Sequence, residues 1–513
     1  MKKLQPSIFN DVIGPIMRGP SSSHVAGAAR ISSLVRQCMK DDVKKVLVDF
    51  DPNGSLAESY HGHGTDMGFV AGIMNMDLTD PQVFRACEIA KEKNIDVQFR
   101  IYEYGANHPN FYRIYAENGQ GYSCRWDAIS VGGGMIEMIK YNDFEVSIAG
   151  DFYELLVTMD ENADDQQVKE LVGNWEYCIK VKAESCKLLQ FKRSQPMAAD
   201  KKHNIKVLEE VKECVYLEPI LPVHSRKNIQ VPFLSAAELL EKFDCEKEMW
   251  EYAVMYECQR GNLTEQEVMD KMNILVDIME GAVDGGLAGT DYEDRILGPQ
   301  SQLIAEAENL VPCSILNEVI QDITAIMETK SSMGVIVAAP TAGACACLPG
   351  TLIGAARYMK LDRIELIKGM LAAGLTGVFI AEGSTFAAEV AGCQAECGSG
   401  SGMAAAGLVQ LMQGTAAQAM NAASIALQNI SGLACDPVAN RVEVPCLGKN
   451  VMGGSNAISS ENMILSGFDK VIPLDQTIAA IYDIGIKLPL ELRCTYGGLG
   501  KTDASNELKK NLK

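Results

Sequence analysis

From residue 331 to about 470 the chain is built of glycine, alanine and serine, with few charges. Small side chains let helices pack closely and let backbone approach a bound group. The run follows a stretch that already reads as helical. Ser235 precedes an apolar-periodic segment with Glu238 three residues on, a capping-box pattern. Residues 263–287 repeat apolar positions at spacings of three and four. The last part of the chain, 233–513, is therefore expected to be an all-α, tightly packed domain.

The rest of the chain has a different pattern. Residues 1–150 alternate strand-like runs (43–51 and 95–105) with helical ones, such as the run from Leu78 to residue 94. Gly-rich turns at 53–55, 61–64 and 131–134 interrupt them. This predicts an N-terminal α+β domain with functional loops. Residues 151–193, with the strand that starts near 145, read as a small βαββ segment, similar in outline to amino-acid-binding regulatory modules. A structural extension of the first domain is the equal alternative. Residues 194–232 combine mixed charge with three prolines in 218–232 and read as a linker.

The 513 residues carry 46 Lys and Arg against 67 Asp and Glu, a net charge of −21. That balance argues against non-specific binding to nucleic acid or to an anionic membrane. The N-terminus shows no apolar signal core, and no run of 18 residues is uninterruptedly apolar. The expected location is the cytoplasm, where thiols stay reduced.

Sixteen cysteines are many for such a chain. Most should be small buried hydrophobes. Three sit beside or one residue from Gly or Pro, at turns: Cys393 in EVAGCQAECGSGSG, Cys435 in SGLACDPVAN and Cys446 in VEVPCLGKN. No CxxC occurs, and the spacings fit neither a zinc ribbon nor a ferredoxin run. Three thiolates without a fourth suggest a cluster with one open metal position, as Lewis-acid chemistry needs; buried structural thiols are the competing explanation. Cys345, Cys347 and Cys397 are rivals, and Cys393 and Cys397 could face one way on a helix. The histidines lie elsewhere: four of six (His24, His61, His63 and His108) fall in the first 110 residues. If imidazoles and thiols cooperate, the site lies between two domains.

These segments resemble the iron–sulfur-dependent L-serine dehydratases, also called L-serine ammonia-lyases. The likeness is carried by the three cysteine segments, by MGVIVAAPTAGACACLPG (333–350), KNVMGGSNAISSENM (449–463) and LPLELRCTYGGLG (488–500). In the first domain it is carried by GPSSSHVAGAAR (19–30), YHGHGTD (60–66) and ANHPN (106–110). It covers about 20–150 and 233–500. It implies a [4Fe–4S] cluster on Cys393, Cys435 and Cys446 with one iron not held by cysteine, and air sensitivity. His63 is implied as the base that takes the Cα proton, with His61 second. Ser21, Ser22, Ser23, His24, His108 and Asn110 would grip the substrate's carboxylate and amino group, and Thr341 and Gly343 would line the cluster side. The implied reaction turns L-serine into pyruvate and ammonia. The same chemistry on threonine or cysteine, or a non-catalytic amino-acid sensor, are the alternatives. A homodimer is compatible with the resemblance, although no interface signal stands out. The chain departs from the family pattern at Val25, at His61 (often Lys), at Cys494 (often Glu) and in having no cysteine after Cys494.

Overall fold

The computed structural model describes residues 5–40 and 42–512. Its first sheet has six strands, in the order Asp96–Ile101, Val43–Phe50, Phe111–Asn118, Ser123–Gly132, Met135–Tyr141, Phe144–Ile148. The first two are parallel and the others antiparallel. Helices Gly27–Cys38 and Thr65–Ile73 cover one face, where Ile31, Leu34 and Val35 meet Val46, Val48, Ile114 and Trp126. Alternation along Phe111–Asn118 puts Tyr112, Ile114 and Ala116 into this core, as a one-sided antiparallel sheet requires.

Residues 153–217 form a second, four-stranded sheet. Its order is Val211–Leu217, Tyr153–Asp160, Cys186–Arg193, Tyr177–Ala183, with every neighbouring pair antiparallel. Helices Gln166–Val172 and Ala199–Lys206 complete a βαββαβ unit of the split βαβ type. The linker expected at 194–232 is thus corrected: its first half supplies the second helix and an edge strand. The cause is weak patterning, since Ile205 is the one buried residue of Ala199–Lys206. One face of this sheet packs on the two helices through Leu155, Val157, Leu189 and Phe191. The other face shares the first sheet's core through Leu156, Leu188, Val215 and Leu217.

The remainder is helical, apart from Ile336–Val337, which pairs with Ile16–Met17. Ser235 caps Ala236–Lys242 by accepting from the Glu238 N–H, and Thr264 forms a full capping box with Glu267 on Glu265–Leu287. At the centre lie Cys347–Met359, Arg363–Gly383, Cys397–Leu411, Ala416–Asn429 and Cys446–Leu465. Close approach explains the glycine content: a Cβ on Gly350 would stand 2.8 Å from the backbone of Ile323. Arg363–Gly383 is long and apolar enough to cross a membrane by length and composition, but 78% of its apolar window is buried inside the protein.

The N-terminal segment belongs to this helical core. Ile8, Phe9, Val12, Ile13 and Met17 are buried in it. The buried Glu257 carboxylate accepts from Ser7 Oγ (2.5 Å) and the Ile8 N–H (2.9 Å). The segment then leads directly into residues 19–30, where Val25 and Ala26 still belong to this core.

Candidate active site

Residues Ser22–Ala26 form a wide, π-type helical turn that continues into Gly27–Cys38. Such turns often mark functional sites. The turn buries His24 completely, with both ring nitrogens engaged. Nδ1 lies 2.9 Å from Ser21 Oγ and 3.3 Å from Ser23 Oγ, and Nε2 lies 2.8 Å from Ser59 Oγ. Burial lowers the His24 pKa to about 3, so its imidazole is neutral.

His63 stands beside it, with ring centroids 4.7 Å apart in an edge-to-face contact. It too is fully buried, but neither ring nitrogen has a hydrogen-bond partner. Burial, and next the neighbouring His24, hold its pKa well below the usual imidazole value. Gly64 makes this placement possible. It adopts φ +80°, and a Cβ there would meet Val25 at 2.9 Å. One turn on, Gly68 lies directly against the Val25 backbone.

Asn110 Nδ2 is another unpartnered polar atom in this part of the protein, and Thr65 Oγ1 and the Tyr112 hydroxyl meet only each other, loosely. Buried polar atoms without partners are rare, and a group of them marks a place built to receive a polar ligand. Asn110 is fixed by Ser55, whose Oγ donates to Asn110 Oδ1 at 2.5 Å, and its N–H donates to His108 Nδ1 at 3.1 Å. The preceding loop is pinned by the buried Asp51 carboxylate. It accepts the N–H groups of Asn53, Tyr104, Gly105 and Ala106, which outweigh burial and hold its pKa at about 2.

His61 does not join this group. Its side chain is 69% exposed and pairs with Asp66 at 2.6 Å, a contact that raises its pKa. The expectation of His61 as second base is corrected on this ground: the Gly62 and Gly64 turns send the two histidines to opposite sides.

The helical domain meets the serine loop through the Glu389 carboxylate and the Ala342 N–H, with a second carboxylate, Glu396, close behind. Glu389 is buried, accepts from Ser23 Oγ at 2.8 Å and lies 3.5 Å from His24 Nδ1. Glu396 accepts from Thr341 Oγ1 at 2.7 Å, and a Cβ on Gly343 would stand 3.0 Å from its carboxylate. Burial, then the proximity of Cys393, raises the Glu396 pKa well above the usual range. Between them the Ala342 N–H donates to Ser22 Oγ at 3.1 Å. Sequence reasoning missed both glutamates, because carboxylates are common and only tertiary surroundings set these two apart, Glu389 buried and Glu396 half-buried.

The thiols lie just beyond. Cys393, Cys397, Cys435 and Cys494 share one buried cluster. The Cys393 and Cys397 sulfurs are 3.6 Å apart, and the Cys435 thiol adjoins those of Cys393 and Cys494. Hydrogen bonds from Cys397, then Cys435, lower the Cys393 pKa well below that of a free thiol. Cys446, at the start of Cys446–Leu465, is buried and within electrostatic range of Cys393. Cys397 likewise opens Cys397–Leu411, so two helix N-termini lie in this region; the hydrogen bond with Cys393 and burial nevertheless push the Cys397 thiol up, as burial does for Cys446. Two ammonium groups flank it, that of Lys330 buried and that of Lys449 half-buried. Lys449 Nζ donates to Asp436 (2.9 Å) and to the Ala434 carbonyl (2.6 Å), and Lys330 donates to the Val442 carbonyl. All sixteen cysteines are free thiols.

Among the described residues, no three His, Cys, Asp or Glu side chains converge as ligands of a single metal ion. The donor chemistry nevertheless fits an iron–sulfur cluster. Several soft thiols are gathered out of water, with helix N-termini and two lysines to balance anionic charge.

Comparison with known proteins agrees with this arrangement. The family described as the serine dehydratase alpha chain matches residues 240–499. The probable L-serine dehydratase alpha chain of Bacillus subtilis is 36% identical over 253 residues, spanning 48% of this chain and 84% of the relative. The L-serine dehydratase alpha chain of Peptoniphilus asaccharolyticus is 33% identical over 260 residues, spanning 50% and 89%. A probable L-serine dehydratase beta chain of Bacillus subtilis is 40% identical over 151 residues, spanning 29% and 67%. With half the chain matched by the family and most of both alpha-chain relatives covered, the chain belongs to the serine dehydratase family and is an enzyme of the lyase class.

Proposed function

We propose that this enzyme removes the Cα proton and the β-hydroxyl of L-serine and releases pyruvate and ammonia. The observation that carries this reading is His63: a neutral, fully buried imidazole with two unpartnered nitrogens, in edge-to-face contact with His24, which lies 3.5 Å from the Glu389 carboxylate. Cys393, Cys435 and Cys446 would hold a [4Fe–4S] cluster with one iron free of cysteine, which when bound supplies Lewis acidity toward the substrate's β-hydroxyl.

The chain's own residues do the rest. The Ser21–Ser23 hydroxyls and the first-turn N–H groups at Ser22–His24 receive the substrate carboxylate, since N–H groups there lack helical partners. Asn110 Nδ2 and the Tyr112 hydroxyl complete that grip. Glu389 faces the ammonium group. The Cα proton passes to an unpaired ring nitrogen of His63. The resulting imidazolium is stabilised by Glu389, the anionic group that raises its proton affinity. His24 holds the T-shaped contact that aims the ring. Departure of hydroxide leaves an enamine, which tautomerises and hydrolyses without further help.

The test is an anaerobic assay of pyruvate and ammonia from L-serine, with 2-oxobutyrate from threonine and sulfide from cysteine measured alongside. Pyruvate from serine at the highest kcat/KM is expected. His63→Ala should lower kcat by at least about a thousandfold while leaving visible absorption intact. A fully active His63→Ala enzyme would remove the assigned base.

A further inference from the structure

We propose that Cys494 is a resolving thiol for Cys435: with the metal group absent from the pocket, an oxidant of the peroxide class closes the two into a disulfide. This rests on the reading of Cys435 as a cluster ligand, because closure would take that ligand out of the set.

Backbone pairing and solvent access single out this pair. The segment around Cys494 is bound to Cys435 as a neighbouring strand would be. The Cys435 N–H donates to the Leu492 carbonyl at 2.8 Å, and the Cys494 N–H donates to the Cys435 carbonyl at 2.9 Å. Residues 435 and 493 form a parallel bridge. Cys494 follows Arg493, the register partner of Cys435, and its left-handed φ of +62° takes it out of the strand alternation that would otherwise turn its side chain to the opposite face. The two thiols already adjoin. Cys393 and Cys397 are the rival pair, with sulfurs 3.6 Å apart across the break at Glu396 between the turn Cys393–Ala395 and helix Cys397–Leu411. Access agrees: Cys435 and Cys494 keep 6% and 7% exposure, against 2% and 0% for Cys393 and Cys397. Leu490 and Tyr496, on either side of Cys494, are exposed, so the covering segment is itself at the surface.

The chemistry balances with peroxide as the named oxidant. One thiolate attacks a peroxide oxygen and breaks the O–O bond, giving a sulfenic acid and, after protonation, water. The second thiolate attacks that sulfur and expels hydroxide, which leaves as a second water. The two sulfurs lose two electrons and the peroxide gains them. Because the disulfide stops oxidation short of sulfinic acid, the ligand is recovered by a thiol reductant. Cys494 thereby protects a residue whose loss would be irreversible.

The experiment strips the protein of iron with a chelator under anaerobic conditions, adds hydrogen peroxide, alkylates and maps peptides by mass spectrometry. A dominant Cys435–Cys494 linked peptide, with loss of two hydrogens from the intact mass, is expected. Iron and sulfide should then reload only after dithiothreitol. Cys494→Ser should give no link to Cys435, accumulate sulfinic acid there, and reload poorly even after dithiothreitol. Cys397→Ser should leave the link in place. A dominant Cys393–Cys397 peptide, or an unlinked Cys435 in peroxide-treated wild-type protein, would overturn the proposal. Iron content of the untreated protein reports separately on the ligand reading: iron present without the linked peptide rejects only the resolving role, and the linked peptide in a protein that never holds iron rejects only the ligand role.

Discussion

Gly68→Ala tests whether the site depends on contact between the two histidine-bearing elements. A Cβ at Gly68 would stand 2.3 Å from the Val25 carbonyl oxygen, 2.7 Å from its Cα and 2.8 Å from its carbonyl carbon. These are backbone atoms, so no side chain can swing aside. Non-bonded heavy atoms settle at about 3.5 Å, so helix Thr65–Ile73 must retreat from Ser22–Ala26 by about 1 Å. Forcing extra volume into a packed contact costs about 1–3 kcal/mol. The catalytic cost should be larger in proportion, because the retreat separates His63 from His24 and from the serine hydroxyls. A misplacement of 1 Å costs on the order of a hundredfold in rate. The assay is pyruvate formation under anaerobic conditions, with thermal unfolding and iron content measured on the same preparation. The expected result is a fall of about two orders of magnitude in kcat/KM, a lower melting temperature and unchanged iron. Gly281→Ala is the control: nothing lies within 4 Å of its Cβ on helix Glu265–Leu287, so it should be neutral or stabilising by up to about 1 kcal/mol. A Gly68→Ala enzyme with wild-type rate and stability would refute the reasoning.

Other outcomes follow from the same geometry. The His24 pKa is lowered from 6.5 to about 3 in the folded state, so its contribution to stability is complete above pH 6.5 and is lost as pH falls toward 3; between pH 7 and pH 5 this group alone should remove about 2 kcal/mol, read by denaturant titration, and His24→Gln should flatten that slope. Glu389→Gln keeps the hydrogen bond from Ser23 but deletes the charge facing His63, so kcat should fall more than KM rises. His61→Ala removes an exposed pair with Asp66 and should leave kcat/KM within about twofold.

The sequence made the parts of the site legible but not their orientation. The turns around Cys393, Cys435 and Cys446 and the serine–histidine loop announced themselves through Gly, Pro and Ser at fixed places. His61 and His63, one residue apart, carry equal signals. Only the left-handed Gly64 and the packing of Val25 decide which one turns inward. Glu389 and Glu396 were invisible for a similar reason, since nothing local tells a carboxylate enclosed by the fold from a solvated one. In the fold, strong periodicity revealed Glu265–Leu287, whereas Ala199–Lys206 and Val211–Leu217 looked like a linker because tertiary contacts, not pattern, hold them. The burial of Ile8–Ile13 in the distant helical core is a long-range event that a local reading cannot supply.

The central claim is that the thiols gathered around Cys393 hold an iron–sulfur cluster served by imidazoles from the other domain. Iron and acid-labile sulfide analysis with EPR on anaerobically purified protein tests it most directly. The account predicts about four irons and four sulfides per chain, lost in Cys393→Ala, Cys435→Ala and Cys446→Ala but retained in His63→Ala. An iron-free, colourless protein that turns over L-serine at full rate would contradict it.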